Sequence, residues 1–187
     1  MGKEKKIIYD EQGVTPGADY EKGQWRKIAT HSDTEIKGFF GEYRFLSNFW
    51  PAKVFLDGEE YSCTENAYQA AKYKKEDREY FKTCSPKESI VFVRENPPTG
   101  YSEEGWANVK LEVMQGFLIQ KFDQQLNPDN YERLLETGEK YLEETNYWED
   151  TFWGVHKTDV KEDGIGENNL GKLLMEIREN LVRNLSK

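Results

Sequence analysis

The sequence is poor in the residues that build disulfide frameworks and metal sites. Among 187 residues it contains only two cysteines, Cys63 and Cys84, and two histidines, His31 and His156. These side chains are far apart along the chain and lack the spacing of zinc ligands, so we expect no structural metal. So few cysteines are typical of a protein from a reducing compartment, which predicts a cytoplasmic location.

Long hydrophobic runs are also lacking. Hydrophobic residues make up 36% of the chain, and no stretch is apolar enough to predict a signal peptide or a membrane-spanning helix. Basic residues are outnumbered as well, because 26 Lys and Arg face 35 Asp and Glu and the formal net charge is -9. This charge disfavours nonspecific binding to nucleic acid backbones, but it leaves room for a nucleotide-sized ligand in a locally basic pocket.

Aromatic and charged residues, by contrast, are abundant. They account for 14% and 33% of the chain, a combination that predicts an ordered protein with a polar exterior and rings at its surface. A length of 187 residues fits one domain with one sizeable core. Residues 1–37 show no sustained hydrophobic period apart from a short predicted strand at 25–28. We interpret them as an N-terminal extension to a single domain at 38–187.

One stretch combines a hairpin signal with a helix signal. Apolar and other side chains alternate up to Asp57-Gly58, a dipeptide that supplies the positive φ angles of a tight turn. The pattern therefore predicts a β-hairpin. Good helix formers follow, and Ser62 or Thr64 can accept the first free backbone N–H groups, so we expect a helix that begins near Glu65.

Glu65 falls in the first turn of this predicted helix, where the helix dipole favours an ionised carboxylate. Two interpretations stay open on spacing alone. Ser62 and Glu65 are three residues apart, so the two side chains fit a capping box that only stabilises the helix. Alternatively, Glu65 is a charged group aimed at a ligand above the first turn.

The rest of the chain predicts mostly helices, and the fold class is a helix-dominated α+β domain with a small antiparallel sheet. The predicted elements are a short helix that ends near Cys84, a helix that starts at Ser85-Pro86 with Glu88, a long helix from Ser102, a short helix at 131–137, strands at 141–145 and 147–153 around a turn at Asn146, a charged loop at 155–163 and a core helix over 170–181. Residues 90–93 are β-branched and aromatic, so they are equally typical of a strand.

Several short motifs occur between residues 38 and 181. They are FLSNF at 45–49, DG followed by Tyr61, TE at 64–65, YQAAK at 68–72, WxxxKxxxM from 106, KF at 121–122, LLETG at 134–138, DxxWG at 150–154 and GxNxLGxLLMxxR at 166–178. Together they resemble the NADAR domain of the YbiA-like N-glycosidases. The resemblance implies a YbiA-like fold, hydrolysis of a ribose C1′–N bond and Glu65 as the catalytic glutamate.

Two substrate classes follow from this resemblance. Members of the family hydrolyse phosphoribosyl intermediates of riboflavin biosynthesis, which releases ribose 5-phosphate, or remove ADP-ribose from modified guanine in nucleic acid. The acidic net charge favours the small phosphorylated ribosyl substrate over ADP-ribosylated nucleic acid as the partner. The alternative of a different class is a module that binds ADP-ribose or a nucleotide without catalysis.

Cleavage of a C–N glycosidic bond passes through an oxocarbenium-like state, so a carboxylate is needed near the anomeric carbon. Glu65 is the predicted residue. A second carboxylate often protonates the leaving group, and Asp150 is the candidate. If the base leaves without help, Asp150 instead holds a ribose hydroxyl.

Ten further residues are predicted to bind the substrate. They are Arg44, Ser47, Asn48, Gln69, Lys72, Trp106, Lys110, Trp153, Gly154 and Asn168. Trp106 and Lys110 lie one helical turn apart and suit a base and a phosphate, whereas Lys72, about 10 Å along the helix axis from Glu65, suits a distal phosphate. The alternatives are a core tryptophan, surface lysines and polar residues that only cap turns.

The sequence departs from the family pattern at two positions. Asn66 stands where a histidine often follows the glutamate, and His156 stands where a glycine is often found two residues past Trp-Gly. We expect both beside the pocket, where they would affect the choice of substrate. The glycines at 164 and 166 lack the third glycine and the lysine of nucleotide-binding loops, so we predict no Rossmann or P-loop site and no cofactor.

Overall fold

The computed structural model describes residues 28–185. The predicted strand at 25–28, apart from its last residue, and most of the predicted N-terminal extension lie outside this range. The described residues form two compact units, one of residues 48–128 and one of residues 28–47 and 129–185. The division into an extension at 1–37 and one domain at 38–187 stays a prediction.

Seven short strands and six α-helices are present in the described part of the chain. In chain order the elements are β1 (Thr30–His31), β2 (Glu35–Lys37), a 3-10 helix (Gly41–Leu46), β3 (Pro51–Leu56), β4 (Glu59–Cys63), α1 (Thr64–Ala70), a second 3-10 helix (Lys75–Asp77), α2 (Glu79–Thr83), α3 (Pro86–Glu95), α4 (Glu103–Lys121), α5 (Pro128–Glu136), β5 (Tyr141–Glu143), β6 (Thr145–Asn146), β7 (Val155–His156) and α6 (Asn169–Leu185). The predicted helix-rich α+β class is confirmed.

The first unit is built on the hairpin of β3 and β4. Asp57 and Gly58 have φ angles of 52° and 81°, the left-handed values that a two-residue turn requires. The strands pair antiparallel, and Val54 lies opposite Tyr61, both fully buried. The predicted hairpin is therefore confirmed, and its inner face forms part of the core.

Helix α1 follows the hairpin without a loop. Its cap is Cys63, whose Sγ accepts a hydrogen bond from the backbone N–H of Asn66 at 3.4 Å. The prediction of Ser62 or Thr64 as cap is wrong, as is the capping box with Glu65, because β4 extends to Cys63 and leaves that residue between strand and helix. All seven residues of α1 are buried, since the helix packs against α2, α3, α4 and the hairpin.

The helices after α1 follow their sequence signals. Ser85 caps α3 in a capping box with Glu88, and residues 90–93 lie in this helix instead of a strand because the capping box has already started it. Helix α2 ends at Thr83, close to the predicted end. Ser102 caps the long helix α4 by accepting a hydrogen bond from Gly105 N–H at 3.1 Å.

The second unit contains two of the three small sheets. Strand β2 pairs antiparallel with β1 and parallel with β5, and β6 pairs parallel with β7. The predicted antiparallel sheet is thus the β3–β4 hairpin. The two parallel pairs, β2 with β5 and β6 with β7, were not predicted from the sequence. Helix α6 packs on β5 and buries its predicted apolar side.

The second strand predicted around Asn146 is wrong. Asn146 lies inside β6, and its Oδ1 accepts hydrogen bonds from the backbone N–H groups of Trp148 and Asp150 at 3.2 and 3.1 Å. These bonds hold residues 147–153 as a loop, because they use backbone donors that a strand would need. The strand forms later, at Val155–His156.

Within residues 28–185, no helix is both long and apolar enough to cross a membrane. The longest, α4, has 19 residues and carries charged side chains along its length.

Substitution of two helical glycines by alanine should change the stability of the fold in opposite directions. A methyl group on Gly171 in α6 would lie 2.2 Å from the carbonyl oxygen of Leu142, whereas one on Gly116 in α4 would meet nothing within 4 Å. We expect Gly116→Ala to raise the free energy of unfolding by about 0.5–1 kcal/mol through helix propensity. Gly171→Ala should lower it by about 1–3 kcal/mol through overpacking. Urea denaturation measures both, and equal stabilisation by the two variants would contradict this account.

Candidate active site

Glu65 is a nearly buried carboxylate in the first turn of α1, as predicted. It is 8% exposed, and its backbone N–H donates to the carbonyl oxygen of Asn48 at 3.0 Å. Its Oε1 accepts a hydrogen bond from Gln69 Nε2 at 2.7 Å. Because Gln69 lies one helical turn further along α1, the helix itself fixes the direction of the carboxylate.

Lys72 completes a chain of side chains that begins at Glu65. Helix α1 ends at Ala70, so Lys72 turns back and its Nζ donates to Gln69 Oε1 at 2.6 Å. Burial lowers the pKa of the Lys72 ammonium below its ordinary value, and the negative charge of Glu65 opposes that change. The alternative of an exposed helical lysine is therefore wrong.

An aromatic cluster of Tyr68, Tyr101 and Trp106 lies beside Lys72. The Trp106 ring centroid is 5.0 Å from that of Tyr68 and 5.5 Å from that of Tyr101, and Lys72 Nζ lies 5.1 Å from the Tyr68 centroid and 5.5 Å from the Trp106 centroid. Trp106 is half-buried and Tyr101 is exposed. The cluster thus offers ring surface close to a cation, which suits a flat aromatic ligand. Lys110 follows Trp106 by one turn of α4.

Asn48 contributes a buried acceptor that has no donor. The residue is 8% exposed, and its Nδ2 donates to the sulfur of Met114 at 3.4 Å. Its Oδ1 is fully buried and accepts no hydrogen bond from residues 28–185. An unsatisfied buried oxygen costs about 1–3 kcal/mol, and a ligand hydroxyl or amine would relieve that cost.

Arg44 and Ser47 belong to the second unit and lie at the end of the 3-10 helix Gly41–Leu46. Both are buried. Arg44 Nη1 donates to the carbonyl oxygen of Phe39 at 3.4 Å, and the Ser47 backbone N–H donates to the Arg44 carbonyl at 3.1 Å. These bonds fix the backbone that carries the two side chains.

The DxxWG motif of the second unit forms a tight loop. Asp150 Oδ1 accepts hydrogen bonds from the backbone N–H groups of Phe152 and Trp153 at 3.1 and 2.9 Å, so one carboxylate oxygen already shapes the turn. Trp153 is half-buried. A methyl group on Gly154 would lie 2.2 Å from the carbonyl oxygen of Glu144, so the glycine is required for backbone packing.

Asn168 has a structural role in this loop region. Its Oδ1 accepts from the Glu144 N–H at 3.0 Å, and its Nδ2 donates to the Leu142 carbonyl oxygen at 2.9 Å and to the Tyr141 hydroxyl at 3.1 Å. The residue also has a φ angle of 54°, which asparagine tolerates better than most residues. Its amide therefore holds β5 and the start of α6 together.

The two departures from the family pattern have different surroundings. Asn66 is fully buried, and its Nδ2 donates to the carbonyl oxygens of Phe81 and Cys84 at 3.0 and 2.8 Å. This side chain ties α2 to α1, and the expectation that it lies beside the pocket stays a prediction. His156 lies in β7 of the second unit, where its Nδ1 accepts from the Glu149 N–H at 3.3 Å.

The structure brings five predicted site residues together within the first unit: Asn48, Glu65, Gln69, Lys72 and Trp106. Lys110 lies on the same helix as Trp106. The others belong to the second unit: Arg44, Ser47, Asp150, Trp153, Gly154 and Asn168. Among residues 28–185, no group of three or more His, Cys, Asp or Glu side chains is placed to hold a metal ion.

Three further residues, Tyr68, Tyr101 and Lys121, were not predicted from the sequence. Tyr68 and Tyr101 complete the aromatic cluster, and only the spacing of four between Tyr68 and Lys72 hinted at a contact. Lys121 is fully buried at the end of α4, although lysine at a helix end is typical of exposed positions. Its charge acts on Cys63, whose pKa burial nevertheless raises to about 12, so that thiol stays neutral.

The chain is similar in sequence to several known proteins. N-glycosidase YbiA of Escherichia coli is 34% identical to the chain over 146 residues, which are 75% of this chain and 83% of YbiA. N-glycosidase Npun_R5314 of Nostoc punctiforme is 31% identical over 148 residues, 76% of this chain and 88% of that protein. Riboflavin biosynthesis protein VVA0006 of Vibrio vulnificus is 30% identical over 137 residues, 73% of this chain but only 35% of that protein.

The fold is similar to a solved structure as well. The NMR structure of Escherichia coli YbiA superposes with a TM-score of 0.68 at 28% sequence identity and covers 88% of this chain and 94% of that chain. The family model of the NADAR domain matches residues 36–182, a range that contains all twelve predicted site residues. The chain therefore belongs to the NADAR domain family.

Proposed function

We propose that the chain is an N-glycosidase that hydrolyses a ribose C1′–N bond with Glu65 as the catalytic carboxylate. The observation that carries the proposal is the nearly buried Glu65, whose Oε1 is held by Gln69 at 2.7 Å beside the aromatic cluster. Two relatives are named N-glycosidases, and the alignment with this chain covers most of the length of each. They support the same reaction.

The proposed mechanism places the ribose against Glu65. The carboxylate stabilises the positive charge that develops at C1′ or activates the attacking water. A ribose hydroxyl donates to the unsatisfied Oδ1 of Asn48, whose backbone already adjoins Glu65. Trp106 stacks on the base, and the Lys110 ammonium and the N–H groups of Lys72 not used by Gln69 bind phosphate oxygens.

Six predicted site residues lie in the second unit, and their roles are proposed from the family resemblance. Asp150 uses Oδ1 for two backbone N–H groups, so Oδ2 is the oxygen proposed for a ligand hydroxyl. Arg44, Ser47 and Trp153 stay proposed substrate contacts, whereas Gly154 and Asn168 act by shaping the backbone.

We propose phosphoribosyl intermediates of riboflavin biosynthesis as the substrate, with release of ribose 5-phosphate. The name of the Vibrio relative, a riboflavin biosynthesis protein, supports this pathway, and the similarity spans about a third of that protein. The net charge of -9 also favours a small substrate over nucleic acid. ADP-ribosylated guanine and binding without catalysis are the alternatives that the experiments below separate.

Replacement of the catalytic carboxylate should abolish turnover without abolishing binding. For Glu65→Gln we expect kcat to fall about 10²- to 10⁴-fold, because the amide has nearly the same shape but no charge for the transition state. Released ribose 5-phosphate measures turnover, and calorimetry measures binding. Glu112→Gln, at an exposed position of α4, is the matched control. Wild-type turnover in Glu65→Gln would contradict the proposed role.

The substrate class is tested by offering the wild type two compounds, an early phosphoribosyl intermediate of riboflavin biosynthesis and an ADP-ribosylated guanosine oligonucleotide. We expect release of ribose 5-phosphate from the first compound and no release of ADP-ribose from the second. Glu65-dependent release from the oligonucleotide alone would reassign the substrate. Tight binding of ADP-ribose with no release from either compound would contradict the enzyme proposal.

Asn48→Leu should separate ligand binding from stability. The change removes a buried acceptor that lacks a donor, so we expect the free energy of unfolding to stay equal or rise by up to about 1 kcal/mol. At the same time KM should rise about tenfold, because the proposed ribose hydroxyl loses its acceptor. A large loss of stability with an unchanged KM would show that Asn48 serves the fold alone.

A further inference from the structure

We propose that Gln69 is a positioning residue that links the Lys72 ammonium to the Glu65 carboxylate and thereby fixes the carboxylate toward the substrate. The three side chains form one line of hydrogen bonds, which we call the Glu65–Gln69–Lys72 relay. The catalytic meaning of the relay rests on the proposed function, whereas the relay itself is a property of the folded chain.

The chemistry of the three groups allows one arrangement only. An ammonium group only donates hydrogen bonds and an ionised carboxylate only accepts them, whereas an amide does both. Gln69 therefore presents its Nε2 to Glu65 at 2.7 Å and its Oε1 to Lys72 at 2.6 Å. A 180° flip of the amide would place its NH2 group against the Lys72 ammonium, two donors, and its oxygen against the Glu65 carboxylate, two acceptors.

The relay accounts for both ends of the Gln69 amide. Gln69 is 7% exposed, and each of its polar atoms already has a charged partner within the first unit. A substrate could reach only the second N–H or the second lone pair of the amide, because the first of each already forms a charge-assisted hydrogen bond, which is stronger than a neutral one. This favours a positioning role for Gln69 over the substrate-binding role that the sequence analysis gave it.

The surroundings of Lys72 keep its charge close to the relay. The ammonium lies over the rings of Tyr68 and Trp106 at 5.1 and 5.5 Å, so it is partly removed from water. Glu65 is the charged group that stabilises the Lys72 ammonium against burial. In a medium of lower dielectric constant than water, the ammonium polarises the amide and strengthens its hydrogen bond to the carboxylate.

Cys63 and Lys121 are titratable groups that interact at the start of α1. Cys63 caps the helix, and its thiol stays neutral because burial raises its pKa to about 12. Lys121, on the packed helix α4, interacts electrostatically with Cys63. These groups are the same in every variant proposed below, so they form a constant background for the relay.

The test compares four variants by a measurement that needs no substrate. Gln69→Met keeps the length of the side chain without its hydrogen bonds, Lys72→Met removes the charge, and the double variant removes both. Gln124→Met, at an exposed position of the same unit, is the control. Carbon-13 NMR of the glutamate carboxyl groups follows the titration of Glu65, assigned through its absence in Glu65→Gln.

In Gln69→Met, the Glu65 carboxylate loses a hydrogen-bond donor, which disfavours its ionised form. The midpoint of the Glu65 titration should therefore rise by about one pH unit, which is a tenfold change in the ionisation constant. It should also rise in Lys72→Met. If Lys72 acts through the amide, Lys72→Met shifts the midpoint less in the Gln69→Met background than in the wild type. An unchanged midpoint in Gln69→Met, or equal effects of Lys72→Met in both backgrounds, would overturn the inference.

Should Gln69→Met fail to fold, the titration in Lys72→Met still decides, because an unchanged midpoint there also contradicts the relay. With a substrate that the wild type hydrolyses, Gln69→Met should lower kcat, keep KM and move the acid limb of the kcat profile to higher pH. A raised KM with unchanged kcat would show a substrate contact instead. If the NMR effects occur and the wild type hydrolyses nothing, the proposed function fails and the relay stands.

Discussion

A carboxylate that is almost removed from water must receive hydrogen bonds from its surroundings, and Glu65 meets this constraint inside a helix whose seven residues are all buried. Burial of a charge without partners would cost several kcal/mol. The Gln69 amide supplies a donor one turn away, and the Lys72 ammonium fixes the direction of that amide. The tight packing of α1 against the hairpin and three helices therefore preserves the geometry of a charged group.

The same unit tolerates polar atoms that the fold does not satisfy. Asn48 Oδ1 is buried without a donor from the described residues, and Lys72 keeps an ammonium in a place where its charge is disfavoured. Such costs persist at functional sites because binding relieves them. In the second unit, the side-chain amides of Asn146 and Asn168 form hydrogen bonds that hold loops and strands together.

Local signals in the sequence predicted the elements that local chemistry determines. The Asp57-Gly58 turn and the helix start at Ser85-Pro86 both formed as expected. The prediction was wrong where an unusual hydrogen-bond partner determines the local structure. A cysteine caps α1, and the side chain of Asn146 keeps the following segment in a loop although that segment is rich in strand-forming residues. The environment of Lys72 was also not predicted. Helix α1 ends at Ala70, before Lys72, and the Lys72 ammonium lies over the rings of Tyr68 in α1 and Trp106 in α4.

The central claim is that Glu65 acts on the anomeric carbon of a bound ribosyl substrate. A crystal structure of the Glu65→Gln variant with the intact phosphoribosyl substrate tests it most directly. The account predicts ribose C1′ at a distance of about 3–4 Å from the side chain of residue 65, as expected for a near-attack arrangement, with the base against Trp106. A substrate bound with C1′ remote from residue 65, for example against Asp150 alone, would contradict it.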